Sequence, residues 1–192
     1  MSDWRERLSA DLEPKLRVAD PRPLISAYHD MPYAIFRYPP EEEFAVRREV
    51  RLLQTRLEQA GKSVTTVSLS ECLATALQAE GMDAKSLAQA EVSVGLDKTI
   101  ETVFEIISSY QRLDTLVVER IPANPDPLRD VVFIVRAGAL FPMYRTSSLL
   151  EQLKGKVNVP SVLFYPGLLE GAAGLRFMGV LDAEHNYRPR IF

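Results

Sequence analysis

A glycine, a lysine and a serine in a row, in AGKSVT at 60–65, are the residues most suggestive of chemistry. Gly61-Lys62-Ser63 has the ending of a phosphate-binding loop, in which backbone N–H groups and a lysine cradle a nucleotide. Two features exclude that role. The first glycine of the motif would fall on Arg56. The segment also closes a helix and enters a strand, whereas a phosphate cradle needs strand, loop, then helix, so that free N–H groups face the anion. After the first strand, where such a loop belongs, the chain reads RYPPEEEF, with prolines and carboxylates in place of glycines and a lysine.

Other catalytic sets are equally thin. His29 and His185 are the two histidines and Cys72 the one cysteine, a set without zinc-ligand spacing. His29-Asp30 reads as a solvated loop pair, since a triad is recognised by geometry that a dipeptide cannot establish. Cys72, inside an amphipathic pattern, reads as a small apolar side chain. The sequence contains no Gly-x-Ser-x-Gly. The expectation is a non-enzymatic chain with no catalytic residue, metal or cofactor.

The best ligand candidate is VVFIVRAGALFPMYRTSSLLEQL at 131–153. Arg136 ends a strand, Gly138 permits a sharp turn, and Arg145 precedes Thr146-Ser147-Ser148, whose hydroxyls could cap the next helix. Two arginines beside a helix start can hold a phosphate or a carboxylate. The competing reading pairs both arginines with acids of this chain and lets Phe141, Pro142 and Met143 fill an apolar corner. A second stretch, YPGLLEGAAGLRFMG at 165–179, reads as a tight turn at Pro166-Gly167 leading into a hairpin.

These candidates depend on the elements that carry them. Residues 1–32 read as a charged helical lead-in and a connection punctuated by Pro21, Pro23 and Pro32. YAIFRY at 33–38 is a buried strand; Val46, Val50, Leu53 and Leu57 then repeat at helical spacing, with Gly61 after them. A second strand spans 63–69, and Ser70 is a cap for the next helix. Residues 83–122 are mostly helical, with Asp97 a further cap and Ile100, Val103, Phe104 and Ile107 an apolar stripe. LVVERI at 116–121 is ambiguous: its β-branched residues suit a strand, but Leu113, Leu116 and Val117 continue the helical spacing and favour helix. A strand at 131–136, a helix at 146–154, a strand at 160–165 and a hairpin partner at 175–180 follow, with an edge segment in NYRPRIF. Strands alternating with helices and carrying continuous apolar runs predict an α/β fold. Its sheet is mainly parallel, with helices on both faces and an antiparallel edge strand near the C-terminus. The layout is that of a P-loop-like or Rossmann-like three-layer sandwich without a functional phosphate loop.

Bulk properties narrow the function. The chain has 192 residues, enough for a single domain over 1–192. Net charge is −3, which speaks against a protein that coats nucleic acid. From Val131 onward there are seven Lys/Arg and four acids, so this third is +3 and the first 130 residues are −6. One cysteine excludes an intramolecular disulfide and fits a reducing compartment. With a charged, signal-free start and no apolar run near the roughly 18 residues of a membrane span, the expected location is cytoplasmic.

The run RAGALFPMYRTSSLLEQL, then VPSVLFYPG, GLRFMG and HNYRPRIF, resembles the BrxB family of BREX bacteriophage-defence systems. The resemblance is strongest over 130–192. The positions carrying it are Arg136, Gly138, Leu140, Phe141, Pro142, Arg145, Tyr165, Pro166, Gly167, Tyr187 and Arg188. It implies a bacterial protein working beside a methyltransferase, a large ATPase and PglZ, a phosphatase-like protein, and no catalytic role for these residues. The leading expectation is therefore an adaptor for another BREX protein, PglZ foremost. Its contact surface would be the 138–145 loop and the 187–192 tail, with Thr146 and Tyr165 beside them. The alternative is a degenerate nucleotide- or phosphate-binding regulator using Arg136, Arg145 and the helix start at Thr146. A DNA-binding subunit is a third, disfavoured by the net acidity.

Overall fold

The computed structural model describes residues 3–26, 31–171, 173–185 and 187–192. His29-Asp30 lies outside them. The lead-in is helical through α1 (Trp4–Glu6), a π-helical turn (Arg7–Leu12) and α2 (Glu13–Arg17), followed by the short α3 (Arg22–Ile25). Then come β1 (Tyr33–Tyr38), α4 (Glu43–Gln59), β2 (Ser63–Ser68) and α5 (Leu69–Ala79). Next are α6 (Ala84–Val94), α7 (Leu96–Glu105), α8 (Leu113–Val118), β3 (Asp130–Val135) and α9 (Thr146–Leu153). The chain closes with β4 (Ser161–Glu170), β5 (Gly174–Phe177) and β6 (Arg190–Ile191).

Five strands lie in the order β2-β3-β4-β1-β6, and every neighbouring pair in that row is parallel. Alternation along the strands divides the core. Tyr33 and Ile35, Val132 and Ile134, and Leu163 and Tyr165 face one layer, with Cys72, Ala76, Ile107, Val117 and Leu149 from the helices. Ala34 and Phe36, Val131 and Phe133, and Val162 and Phe164 face the other, with Leu8, Leu12, Val46, Leu53 and Leu57. Phe133 and Phe164 meet edge-on at 5.2 Å on that second side, a geometry worth about 1 kcal/mol beyond burial. Strands buried on both faces need nearly unbroken apolar sequence, which is the pattern seen here. Helices on both faces of a mainly parallel sheet are the predicted fold class.

Several local expectations need correction. Pro166-Gly167 is not a turn: β4 runs straight through both residues to Glu170, and the hairpin turns after it. A proline fits because Pro166 sits where β4 passes from its parallel partner β1 to its antiparallel partner β5. Gly167 is there for space, since a Cβ would meet Tyr165 Cε1 at 2.3 Å and the Arg176 carbonyl at 2.4 Å. β5 pairs with the outer half of β4, off the row of parallel strands. Ser70 does not cap α5; its hydroxyl lies 3.0 Å from that of Ser68, the N-cap residue. Gly95, with φ of 89°, takes the cap position expected of Asp97, which falls within the first turn of α7. Phe104 leaves the predicted stripe and is half exposed, 5.9 Å from the Tyr144 ring.

Candidate functional site

The carboxyl ends of parallel strands form the rim where α/β sheets hold ligands. Here β1 sends the chain to α4 on one face, while β3 sends it to α9 on the other. Between α4 and the rim lies an open cleft of about 580 Å³, lined by Tyr38, Ser68, Val135, Arg136 and Phe164 from the sheet and by Arg47, Arg48 and Arg51 from α4. The α4 arginines were not legible as site residues, because in sequence they belong to the polar face of an ordinary amphipathic helix.

Arg136 directs the turn out of β3. Its φ of 63° is a left-handed conformation uncommon for a residue with a side chain, and the short 3-10 turn Ala137–Leu140 starts from it. Its guanidinium lies 3.9 Å from Glu43. That carboxylate is already occupied: Arg47 Nε donates to it at 2.7 Å and the Tyr38 hydroxyl donates to it as well. Burial, reinforced by Glu43, raises the Tyr38 pKa well above that of a free phenol and keeps the hydroxyl protonated. A carboxylate thus stands where a phosphate loop would receive an anion.

Arg145 goes elsewhere. It lies 3.7 Å from Glu184 and donates to the Asp182 carbonyl at 3.3 Å. Glu184 also accepts from Ser147 Oγ at 3.0 Å and from the Tyr187 hydroxyl at 2.9 Å, and Tyr187 meets Thr146 Oγ1 at 3.0 Å. Backbone bonds in both directions between Glu184 and Leu175, each 3.0 Å, tie this cluster to β5. Burial, above all, pushes the Tyr187 hydroxyl up to about 12. The predicted hydroxyl cap is therefore absent: α9 begins after Arg145 with no side-chain cap, because Thr146 and Ser147 turn to the C-terminal segment. The two arginines of the expected anion cradle are held by two different carboxylates. Glu184, which organises the second, carried no signal in sequence beyond its position near Tyr187.

Other predicted residues serve the same junction. Phe141 packs edge-on against Phe177 at 6.0 Å, while Pro142 stays exposed. Gly138 is not required by space, since an added Cβ would meet Met178 Sδ and Pro166 Cγ at ordinary contact distances of 3.4 and 3.5 Å. Tyr165 is fully buried between Phe177 and Tyr187, with ring centroids 5.4 and 5.9 Å away. Arg188 is exposed. Beside this junction Leu168 and Val180 are exposed by 43% and 65%, and an added Cβ on Gly179, the residue before Val180, would lie 3.3 Å from Leu168.

The two other chemical candidates are structural. Lys62 of Gly-Lys-Ser is buried, and its ammonium donates to the carbonyls of Val18, Ala19 and Leu128 at 2.5, 3.1 and 2.7 Å. Burial lowers its pKa. Cys72 is fully buried in α5, and desolvation pushes its thiol up to about 11. Among the described residues no group of three or more His, Cys, Asp or Glu could hold a metal ion, and no helix is long and apolar enough to cross a membrane.

Comparison with known proteins bears on this junction. A family model described as BREX protein BrxB matches residues 65–191, which contain the whole Glu184 cluster. A BREX protein BrxB of Bacillus cereus (strain H3081.97) is 29% identical over 185 residues, covering 95% of this chain and 94% of its own length. No solved structure matches.

Proposed function

The chain belongs to the BrxB family, and from that premise we propose that this component of a BREX phage-defence system acts as a non-catalytic adaptor that holds another BREX protein, PglZ foremost. One observation carries the reading. Several polar side chains at the strand rim have partners within the chain: Arg136 and Arg47 share Glu43, and Arg145, Ser147 and Tyr187 share Glu184. Groups held in this way stiffen a surface and are poorly placed to exchange protons or attack a substrate. What they stiffen is an apolar and arginine-bearing surface: Pro142, Leu168, Val180 and Arg188 stand exposed around the clasped loop and tail. Apolar and arginine side chains on a rigid frame are suited to anchoring a protein partner.

The alternative, a degenerate nucleotide- or phosphate-binding regulator built on Arg136, Arg145 and Thr146, has less support at this place. Each of these side chains already has a partner, and Glu43 and Glu184 would repel a phosphate. The adaptor reading is tested by co-purifying PglZ with the wild-type chain and with Val180→Asp and Arg188→Glu. Retained PglZ with the wild type and its loss with either folded variant is expected. Equal recovery with both variants would remove this surface from the account.

A further inference from the structure

A second cavity, of about 300 Å³, shares no lining residue with the rim cleft. Four of its lining side chains are cationic: Arg7, Lys15, Arg37 and Arg190. They come from three separate parts of the chain. Arg7 and Lys15 flank Asp11 at four-residue spacing along the helical lead-in, Arg37 is on β1, and Arg190 is on β6, which pairs with β1. Asp11 is the one acidic side chain in the lining. Among the described residues none of the four cations forms an ion pair with it or with any other carboxylate.

Lys15 donates to the Asp11 carbonyl at 2.7 Å and Arg190 to the Leu24 carbonyl at 3.0 Å, whereas the other two cations are short of acceptors. Arg7 gives one bond, from Nη2 to the Arg37 carbonyl at 3.0 Å, while its Nε and Nη1 are buried without a partner. The Arg37 guanidinium has no acceptor among the described residues, and it stands close enough to Arg7 to disfavour its charge. Burial lowers the pKa of both, and in Arg7 the neighbouring Arg37 lowers it further. Lys15 and Arg190 both lie over the Phe192 ring, 5.4 and 5.1 Å from its centroid, so an aromatic wall holds them at the cavity. Unpaired buried donors in a native structure call for an explanation, and a bound anion would supply one.

We propose that this pocket is a binding site for a phosphate-type oxyanion, with Arg7 and Arg37 donating to its oxygens and Lys15 and Arg190 completing the countercharge. The side chains of the lining sum to three positive charges, more than a single carboxylate neutralises and suited to a phosphoryl dianion or a pyrophosphate. Planar guanidinium groups with free N–H edges match such oxygens in pairs. The volume is at the small end of ligand pockets, which fits one or two phosphoryl groups, free or at the end of a nucleotide. At the rim, by contrast, Arg47, Arg136 and Arg145 already have carboxylates. The inference is independent of the adaptor reading, because the proposed contact surface lies on other residues.

The test is calorimetric titration of the full chain with sodium phosphate, sodium pyrophosphate and ADP, at an ionic strength held constant with sodium chloride. Saturable binding of at least one of the three is expected. Arg37→Gln should weaken it about tenfold or more, the equivalent of one charge-assisted hydrogen bond, and Arg136→Gln at the rim should leave it unchanged. Binding of pyrophosphate alone identifies a free anion and tighter binding of ADP identifies a nucleotide; both support the site. If Arg7→Gln or Arg37→Gln fails to fold, Lys15→Gln and Arg190→Gln carry the same expectation from more exposed positions. No saturable heat with any ligand at millimolar concentration, or a loss that follows Arg136→Gln and spares Arg37→Gln, would overturn the proposal.

Discussion

Lys62 shows most clearly how a residue's type can mislead when its neighbourhood is unknown. In sequence it completes Gly-Lys-Ser; in the fold its three donors close on three carbonyls from two distant loops. Lys62→Ala should cost about 2–3 kcal/mol, because three hydrogen bonds from a charged, buried donor are lost; chemical denaturation measures it directly. Tyr187 has the converse history, a residue marked by resemblance alone whose role is now geometric. Tyr187→Phe removes the hydroxyl shared by Thr146 and Glu184. The expected loss is about 1–2 kcal/mol, read as a lower urea midpoint with unchanged slope. Arg136 and Arg145 were legible as charged groups at a strand end, but their partners were not. Glu43 is more than ninety positions from Arg136, and only folding brings β1 and β3 to one rim.

At the scale of elements the sequence was read most successfully where periodicity was long. The spacing of Val46, Val50, Leu53 and Leu57 and the apolar run at 131–135 both became the expected helix and strand. Local punctuation was less reliable: Pro166-Gly167 has turn chemistry but lies inside β4, where the close approach of Tyr165 and the Arg176 carbonyl decides the matter. Gly167→Ala should accordingly destabilise by about 1–3 kcal/mol, the range for overpacking a filled site, seen as a lower melting temperature. The start of α8 is fixed by Asp114, a fully buried carboxylate bound by Arg112 and Lys156. Burial alone would raise its pKa, yet the hydrogen bonds from Arg112 and Lys156 prevail and lower it. A folded pKa below the unfolded one gives stability that is fully present above about pH 4 and is lost as pH falls through the lower folded value. Asp114→Asn should therefore be less stable than wild type at neutral pH and lose less of its stability on acidification, as acid titrations of the urea midpoint would show.

For the molecule as a whole, the three-layer arrangement was legible because strands buried on both faces must be apolar at every position, and those of this chain nearly are. The distribution of charge was not. The basic C-terminal third does not form one positive surface: Arg145 and Arg176 pair with Glu184 and Glu170, whereas Arg190 crosses to the N-terminal helices, where Arg7, Lys15 and Arg37 gather. The proposed contact and the proposed charge recognition thus fall on separate places, the rim and the edge pocket, which share no lining residue. The central claim is that the clasped loop and tail present a rigid docking surface to PglZ. Its most direct measurement is the equilibrium dissociation constant of the purified chain with purified PglZ, determined beside that of Val180→Asp. A saturable complex that weakens about tenfold or more on introducing a charge at this exposed apolar position, with the melting temperature unchanged, is predicted. A wild-type chain that does not bind PglZ, or a folded Val180→Asp that binds it equally well, would contradict the account.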